Sequence, residues 1–282
     1  MKIRVLEQKD DFIRFSLDET DPSHANALRR TLIADLPKMA IEDVEFHLGP
    51  IRTDDGKEFE SVAPLFDEII AHRLGLVPIP TDLDLFEPKA TCKTCGGEGC
   101  TTCTIIYSIN KRGPGMVYSG DMEPIGDPKL KPPNAKIPIV ELGPGQAMLV
   151  YATAVLGKGR DHAKWQPTTS ISYKYHPTVT IDNKKLDGKK FPVEVCPVDI
   201  LQNPDGKVTV ESEEKCTMCN ACVEAAEKGG WGGSIKISGD PSRIVFGLET
   251  DGSIPAGRVL LEAFSILEKQ FADLAEKAES LE

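Results

Sequence analysis

The chain has 282 residues, 40% of them hydrophobic, with 33 Lys and Arg against 44 Asp and Glu, for a net charge of −11. That length predicts two domains with room for a small third, and an acidic balance without a basic patch argues against a free-standing nucleic-acid binder. No run approaches the roughly 18 apolar residues of a spanning helix, and the opening MKIRVLEQKDD lacks the apolar core of a secretory signal, so the expected location is the cytoplasm. Eight cysteines in that compartment point to metal ligands rather than disulfides.

The first segment reads as strand, helix, strand. In FIRFSL, Ile13, Phe15 and Leu17 alternate with Arg14 and Ser16, the period of a half-buried strand. Thr20 or Asp21 can cap a following helix, with Pro22 in its first turn. Ala25, Leu28, Leu32 and Leu36 share one face of that helix, and Pro37 ends it. Val44, Phe46 and Leu48 then alternate as a second strand. From Gly49 to Gly159 proline and glycine are dense, which predicts a loop-rich insert with short strands in YSI (107–109), KIPIVEL (136–142) and AMLVYATAVL (147–156), and one helix near Pro64–Leu74. TSISYKYHPTVT and RIVFGLET are later strand candidates. A terminal helix opens at Pro255, with Leu260, Phe264, Leu267, Phe271, Leu274, Ala278 and Leu281 forming a heptad seam. That periodicity fits packing along another long helix or on the chain's own sheet equally well.

Two cysteine groups carry the chemistry. Residues 92–103 read CKTCGGEGCTTC, a C-x2-C-x4-C-x2-C run. Paired C-x2-C turns bring Cys92, Cys95, Cys100 and Cys103 onto one tetrahedral ion, zinc ahead of iron, in a closed structural site. The second group is Cys196-Pro197 followed by Cys216, Cys219 and Cys222. In two-cluster ferredoxins each motif reads C-x2-C-x2-C-x3-C-P, and the fourth cysteine serves the other cluster. Cys196 stands as such a fourth cysteine, but Leu186, Lys189 and Pro192 occupy the positions of its three companions. In the second motif the fourth position is Ala226. The four remaining cysteines make one ligand set, for a [4Fe–4S] cluster or a [3Fe–4S] form. A zinc site or plain structural thiols are the alternatives.

Three stretches resemble one family: HANALRRTLIADLPKMAIEDVEF (24–46), LFDEIIAHRLGLVPIPTD (65–82) and HAKWQPTTSISYKYHP (162–177), closed by GSIPAGRVLLEAFSILEKQF (252–271). They are similar to the family of bacterial RNA polymerase alpha subunits, the third-largest subunit of eukaryotic RNA polymerase II and their archaeal D-type counterparts. A ferredoxin-like insertion is a feature of the archaeal branch. The resemblance implies an α+β fold. Residues 1–48, 160–178 and 239–282 would form a discontinuous dimerisation domain of a sheet and two helices. Residues 49–159 would form a β insert domain with the zinc loop, and 179–238 a small ferredoxin-like domain.

The resemblance also implies a non-catalytic platform. Its partner would be the small subunit L, through the seam of Leu260, Phe264, Leu267, Phe271 and Leu274 and through the helix carrying Asn26, Arg29 and Arg30. Arg29 and Arg30 would help dock a large subunit, or else lie on a solvated face. The insert would meet small subunits N and P and the second-largest subunit, and the pair would nucleate assembly of that subunit and the largest one. His72 and Arg73 would hold the insert's turn. His162, Lys164 and Trp165 form a polar loop suited to contact or to packing. Two other functions compete: a ferredoxin-like electron carrier, and a free enzyme, for which no nucleophile elbow, P-loop or GxGxxG is present.

Overall fold

The computed structural model describes residues 1–52 and 56–280. The expected seam residue Leu281 lies outside the described residues. Fourteen strands and four α-helices appear among the described residues, a mixed α+β fold. The opening elements are β1 (Lys2–Gln8), β2 (Phe12–Asp18), α1 (Pro22–Ala34) and β3 (Pro37–Phe46). The next group is β4 (Gly49–Arg52), β5 (Glu58–Ser61), α2 (Asp67–Gly75), β6 (Thr104–Arg112), β7 (Gly115–Tyr118) and β8 (Glu123–Pro124). Then come β9 (Pro138–Leu142), β10 (Gln146–Lys158), β11 (Ser172–Ile181), β12 (Leu201–Gln202) and β13 (Thr209–Val210). The chain closes with α3 (Ala221–Lys228), β14 (Ile235–Glu249) and α4 (Ala256–Glu279).

Local chemistry explains most of these boundaries. Asp21 Oδ1 accepts from the Ser23 amide at 2.7 Å, satisfying a free donor in the first turn of α1. The Ser23 hydroxyl first and this amide second lower the Asp21 pKa. Ala25, Leu28, Leu32 and Leu36 are all buried, as their spacing predicts. The strand after Pro37 differs from its expected span. It begins at Pro37, and Leu48 falls beyond its end with 68% of its surface exposed. Met39, Ala40 and Ile41 form a continuous buried run instead of an alternating one. Helix α3, eight residues within the second cysteine group, carries no sequence periodicity long enough to announce it.

The chain divides into two units. The first comprises Met1–Glu7, Arg14–Ala27 and Ser172–Gly247. Its sheet runs β1-β2-β14-β11, with β11 antiparallel to β14 from Ser172↔Gly247 to Ile181↔Ile235 and a bulge after Tyr175. Phe15, Phe246 and Tyr173 stack across this sheet, with ring centroids 5.2 and 5.9 Å apart. A second apolar core gathers Leu186, Phe191, Ile200, Leu201, Val208 and Ala226 with Cys196, Cys216 and Cys222.

The other unit comprises Gln8–Ile13, Leu28–Ile171 and Leu248–Glu282. Its spine is β10, antiparallel to β6 from Ala147↔Arg112 to Val155↔Thr104 and to β3 from Val150↔Phe46 to Lys158↔Pro37. Alternate residues Met148, Val150, Ala152 and Ala154 of β10 are buried with Ile70 and Leu74 of α2, Tyr107 and Ile109 of β6, and Val140 of β9. In α4 the first turns are buried at Ala256, Val259, Leu260 and Ala263, while every described residue from Glu268 onward is exposed.

Candidate metal centres

The first cysteine group folds as a compact knuckle before β6. Cys92 closes a short 3-10 turn, and the Gly96 amide returns to the Cys92 carbonyl at 2.9 Å. Gly96, Gly97 and Gly99 all adopt positive φ (63°, 104° and 111°), a conformation that strains other residues. The Thr104 amide donates to the Cys100 carbonyl at 2.8 Å, and β6 starts there. All four sulfurs lie within 4.8 Å of one another. Cys92–Cys100, Cys95–Cys103 and Cys100–Cys103 are 3.7, 3.6 and 3.8 Å apart. Four thiolates at about 2.3 Å from one tetrahedral ion stand about 3.8 Å apart, so the donor set fits one metal ion with a closed coordination sphere.

Main-chain and hydroxyl donors surround these sulfurs. The Gly99 amide donates to Cys95 Sγ and the Cys100 amide to Cys103 Sγ, both at 3.3 Å. The Thr102 hydroxyl lies 3.6 Å from Cys92 Sγ and 3.0 Å from Cys100 Sγ. It pulls the Cys92 thiol down to about 6 and lowers Cys100 as well. Burial pushes Cys103 up to about 12. Sequence reasoning misses Thr102, because a threonine inside a C-x2-C turn is indistinguishable from a spacer until its hydroxyl is located.

The second group also converges. Cys196, Cys216, Cys219 and Cys222 line one pocket with Val179, Val198, Ile200, Leu201 and Ile237. Cys196 closes one 3-10 turn and Cys216 another. Met218 and Asn220 take left-handed backbone (φ 55° and 62°), which coils the run between the cysteines. The Met218 amide donates to Cys216 Sγ at 3.4 Å, and Cys222 sits in the first turn of α3. Burial raises the Cys222 pKa, and the charges of Cys216 and Cys196 raise it further. Cys196, Cys216 and Cys222 are buried and Cys219 is exposed. Among the described residues the close spacing of the first group does not recur here. Four cysteines on an apolar-walled pocket are a donor set of the kind that holds an iron–sulfur cluster. Leu186 and Ala226, which stand at ferredoxin cysteine positions in the sequence pattern, are both buried in the surrounding core with Phe191.

The family model described as RNA polymerase Rpb3/RpoA insert domain matches residues 51–181. A DNA-directed RNA polymerase subunit Rpo3 of Picrophilus torridus is 43% identical over 96% of this chain and 97% of its own length. That of Thermoplasma volcanium is 41% identical over 98% of each chain. That of Pyrococcus furiosus is 35% identical over 95% of this chain and 93% of its own. The chain belongs to the Rpo3 family of archaeal RNA polymerase subunits. The insert-domain match spans the first cysteine group and the segments 65–82 and 162–177 that carried the resemblance.

The other residues expected to act in this family fall into distinct settings. Asn26 and Arg29 are half-buried on α1, and Arg30 is exposed. On α4, Leu260 is buried, Phe264 and Leu267 are half-buried, and Phe271 and Leu274 are 59% and 62% exposed. The heptad seam therefore splits into a covered half and an open one. Arg73 donates to the Ile139 carbonyl at 2.6 Å, fastening α2 to β9. Lys164 pairs with Glu42, donates to the Ile41 carbonyl at 3.0 Å and lies 4.3 Å over the Trp165 ring. Trp165 in turn donates to the Val155 carbonyl at 3.1 Å. This polar loop packs on β3 and β10. No helix among the described residues is long and apolar enough to cross a membrane.

Proposed function

We propose that this chain is a non-catalytic assembly platform of archaeal RNA polymerase, working in a cytoplasmic complex. It pairs with subunit L, and the pair nucleates assembly of the second-largest and largest subunits, which hold the active site. The observation that carries the platform reading is α4: a helix whose first half is buried and whose second half exposes Phe271 and Leu274. An amphipathic helix end left bare is costly in water and suits a partner helix. Residues 1–48, 160–178 and 239–282 form the dimerisation domain, with Asn26, Arg29 and Arg30 at its partner-facing helix. The insert of residues 49–159 meets subunits N and P and the second-largest subunit.

Two metal groups complete the subunit. Cys92, Cys95, Cys100 and Cys103 hold one zinc ion, which staples a glycine-rich loop that has little core of its own. Cys196, Cys216, Cys219 and Cys222 hold one [4Fe–4S] cluster in a ferredoxin-like domain, residues 179–238. The apolar filling at Leu186 and Ala226 supports a domain reduced to a single cluster. A bound cluster supplies a one-electron couple, and its role is structural or redox-sensing. The protein's own residues shield three ligands from solvent and leave Cys219 at the surface.

Anaerobic purification from native lysate, with iron, sulfide and zinc analysis, tests the proposal. Large polymerase subunits and a small L-like partner should accompany the chain, with about four irons and one zinc per chain from the ligand counts. Elution alone with a reversibly reducible cluster would reject the platform and favour an electron carrier.

A further inference from the structure

Lys174 stands on β11, more than forty positions before the C-x2-C-x2-C run, inside the stretch 162–177 that carries the family resemblance but outside both cysteine motifs. Its Nζ donates to the backbone carbonyl of Cys216 at 2.6 Å. The side chain is half-buried, and that burial holds its pKa below the usual lysine value, while a thiolate at Cys216 favours its charged form. Arg14 opposes that charge and Glu214 supports it. The pocket beside it is walled by Val179, Val198, Ile200, Leu201 and Ile237, which offer no screening dipoles of their own.

We propose that Lys174 sets the reduction potential of the group held by Cys196, Cys216, Cys219 and Cys222, by placing a fixed positive charge against the ligand loop. This rests on the iron–sulfur reading given above. One electron from an external low-potential donor adds one unit of negative charge to the site, with no bond made or broken. A cation held nearby in a poorly screened region favours the more negative form, and charge and hydrogen bonding around the ligands are established controls on such potentials. Lys174 therefore raises the potential. Linkage makes the effect mutual: added negative charge at the ligands tightens the tie between Cys216 and β11. Because β11 is a strand of the four-stranded sheet, the redox state of the pocket is felt in the sheet through this side chain.

The test is a mediated redox titration followed by electron paramagnetic resonance on the full chain, reconstituted anaerobically with iron and sulfide. Lys174→Met removes charge and donor, Lys174→Gln keeps a donor without the charge, and Lys174→Arg keeps the charge. Both neutral variants should shift the ratio of reduced to oxidised protein about tenfold toward oxidised at a fixed potential, equivalent to about 59 mV for a one-electron couple. Lys174→Arg should titrate with the wild type. If Lys174→Met retains too little iron to titrate, Lys174→Gln decides alone. A midpoint unchanged in an iron-replete neutral variant overturns the proposal, and so does an equal fall in Lys174→Arg. A wild-type chain that takes up no iron and sulfide overturns the cluster reading itself, and metal analysis reveals that before any variant is compared.

Discussion

Lys38 is buried at the start of β3, and its ammonium pairs with the Asp251 carboxylate in the turn before α4, with side-chain exposures of 4% and 13%. Lys38 also donates to the Gln166 carbonyl at 3.2 Å. Asp251 Oδ1 accepts from the Ser253 amide at 3.0 Å and from its hydroxyl at 2.5 Å. Unit charges about 4 Å apart attract by about 4 kcal/mol at an effective dielectric of 20, and orphaning one side of a buried pair costs about 3–5 kcal/mol. Lys38→Met leaves Asp251 its two serine bonds, so its cost should sit near 3 kcal/mol, the lower end of that range. Asp251→Asn keeps the serine bonds but leaves a buried ammonium facing one carbonyl and an amide, so it should cost about 4–5 kcal/mol. The double variant should cost far less than the sum, with a coupling of about 3 kcal/mol. The chain has two tryptophans, Trp165 and Trp231. In a Trp231→Phe background, Trp165 fluorescence reports denaturant unfolding of the unit that contains the pair. Single variants that each cost under about 1 kcal/mol, or a double variant that costs the sum, would refute this account of the pair.

Two further outcomes concern the metal knuckle and the terminal helix. At pH 7–8, Cys92 (about 6) is already a thiolate and Cys103 (about 12) still carries its proton. Binding one ion to four thiolates must expel at least that proton, so metal affinity should rise about tenfold or more per pH unit and weaken as pH falls; chelator competition at several pH values would show a flat profile if this is wrong. Replacing Phe271 and Leu274 on the open half of α4 by glutamate should leave the free chain's stability within about 0.5 kcal/mol per site while abolishing capture of the L-like partner. Capture at wild-type affinity would place the dimer interface elsewhere.

Much of this architecture can be read from residue order, and the failures share a cause. FIRFSL and the Ala25–Leu36 face declare themselves because apolar residues recur at the strand and helix periods, although Ser16, on the polar side of FIRFSL, is buried as well. β3 does not, because Met39, Ala40 and Ile41 are all buried and alternation disappears, so the start of the strand gives no signal and Leu48 is wrongly expected inside it. The α4 heptad specifies a seam but not what covers each half. Cysteine spacing reveals the Cys92, Cys95, Cys100 and Cys103 set, since local turns bring those sulfurs together. Thr102 and Lys174 escape because their importance lies in where a hydroxyl or an ammonium ends up, and for Lys174 that place is a carbonyl 42 residues away in sequence.

The pairing of β3 with β10 also has a consequence in time. Among the described residues β3 has no strand partner except β10, and Phe46 pairs with Val150. A ribosome adding about 5–20 residues per second needs roughly 5–20 s to make the intervening chain. Through that interval the apolar run Met39–Ile41 leaves the exit tunnel with no strand to lie against. The growing polypeptide is therefore most exposed to misassociation well before either cysteine group in the finished protein has a stable frame to sit on.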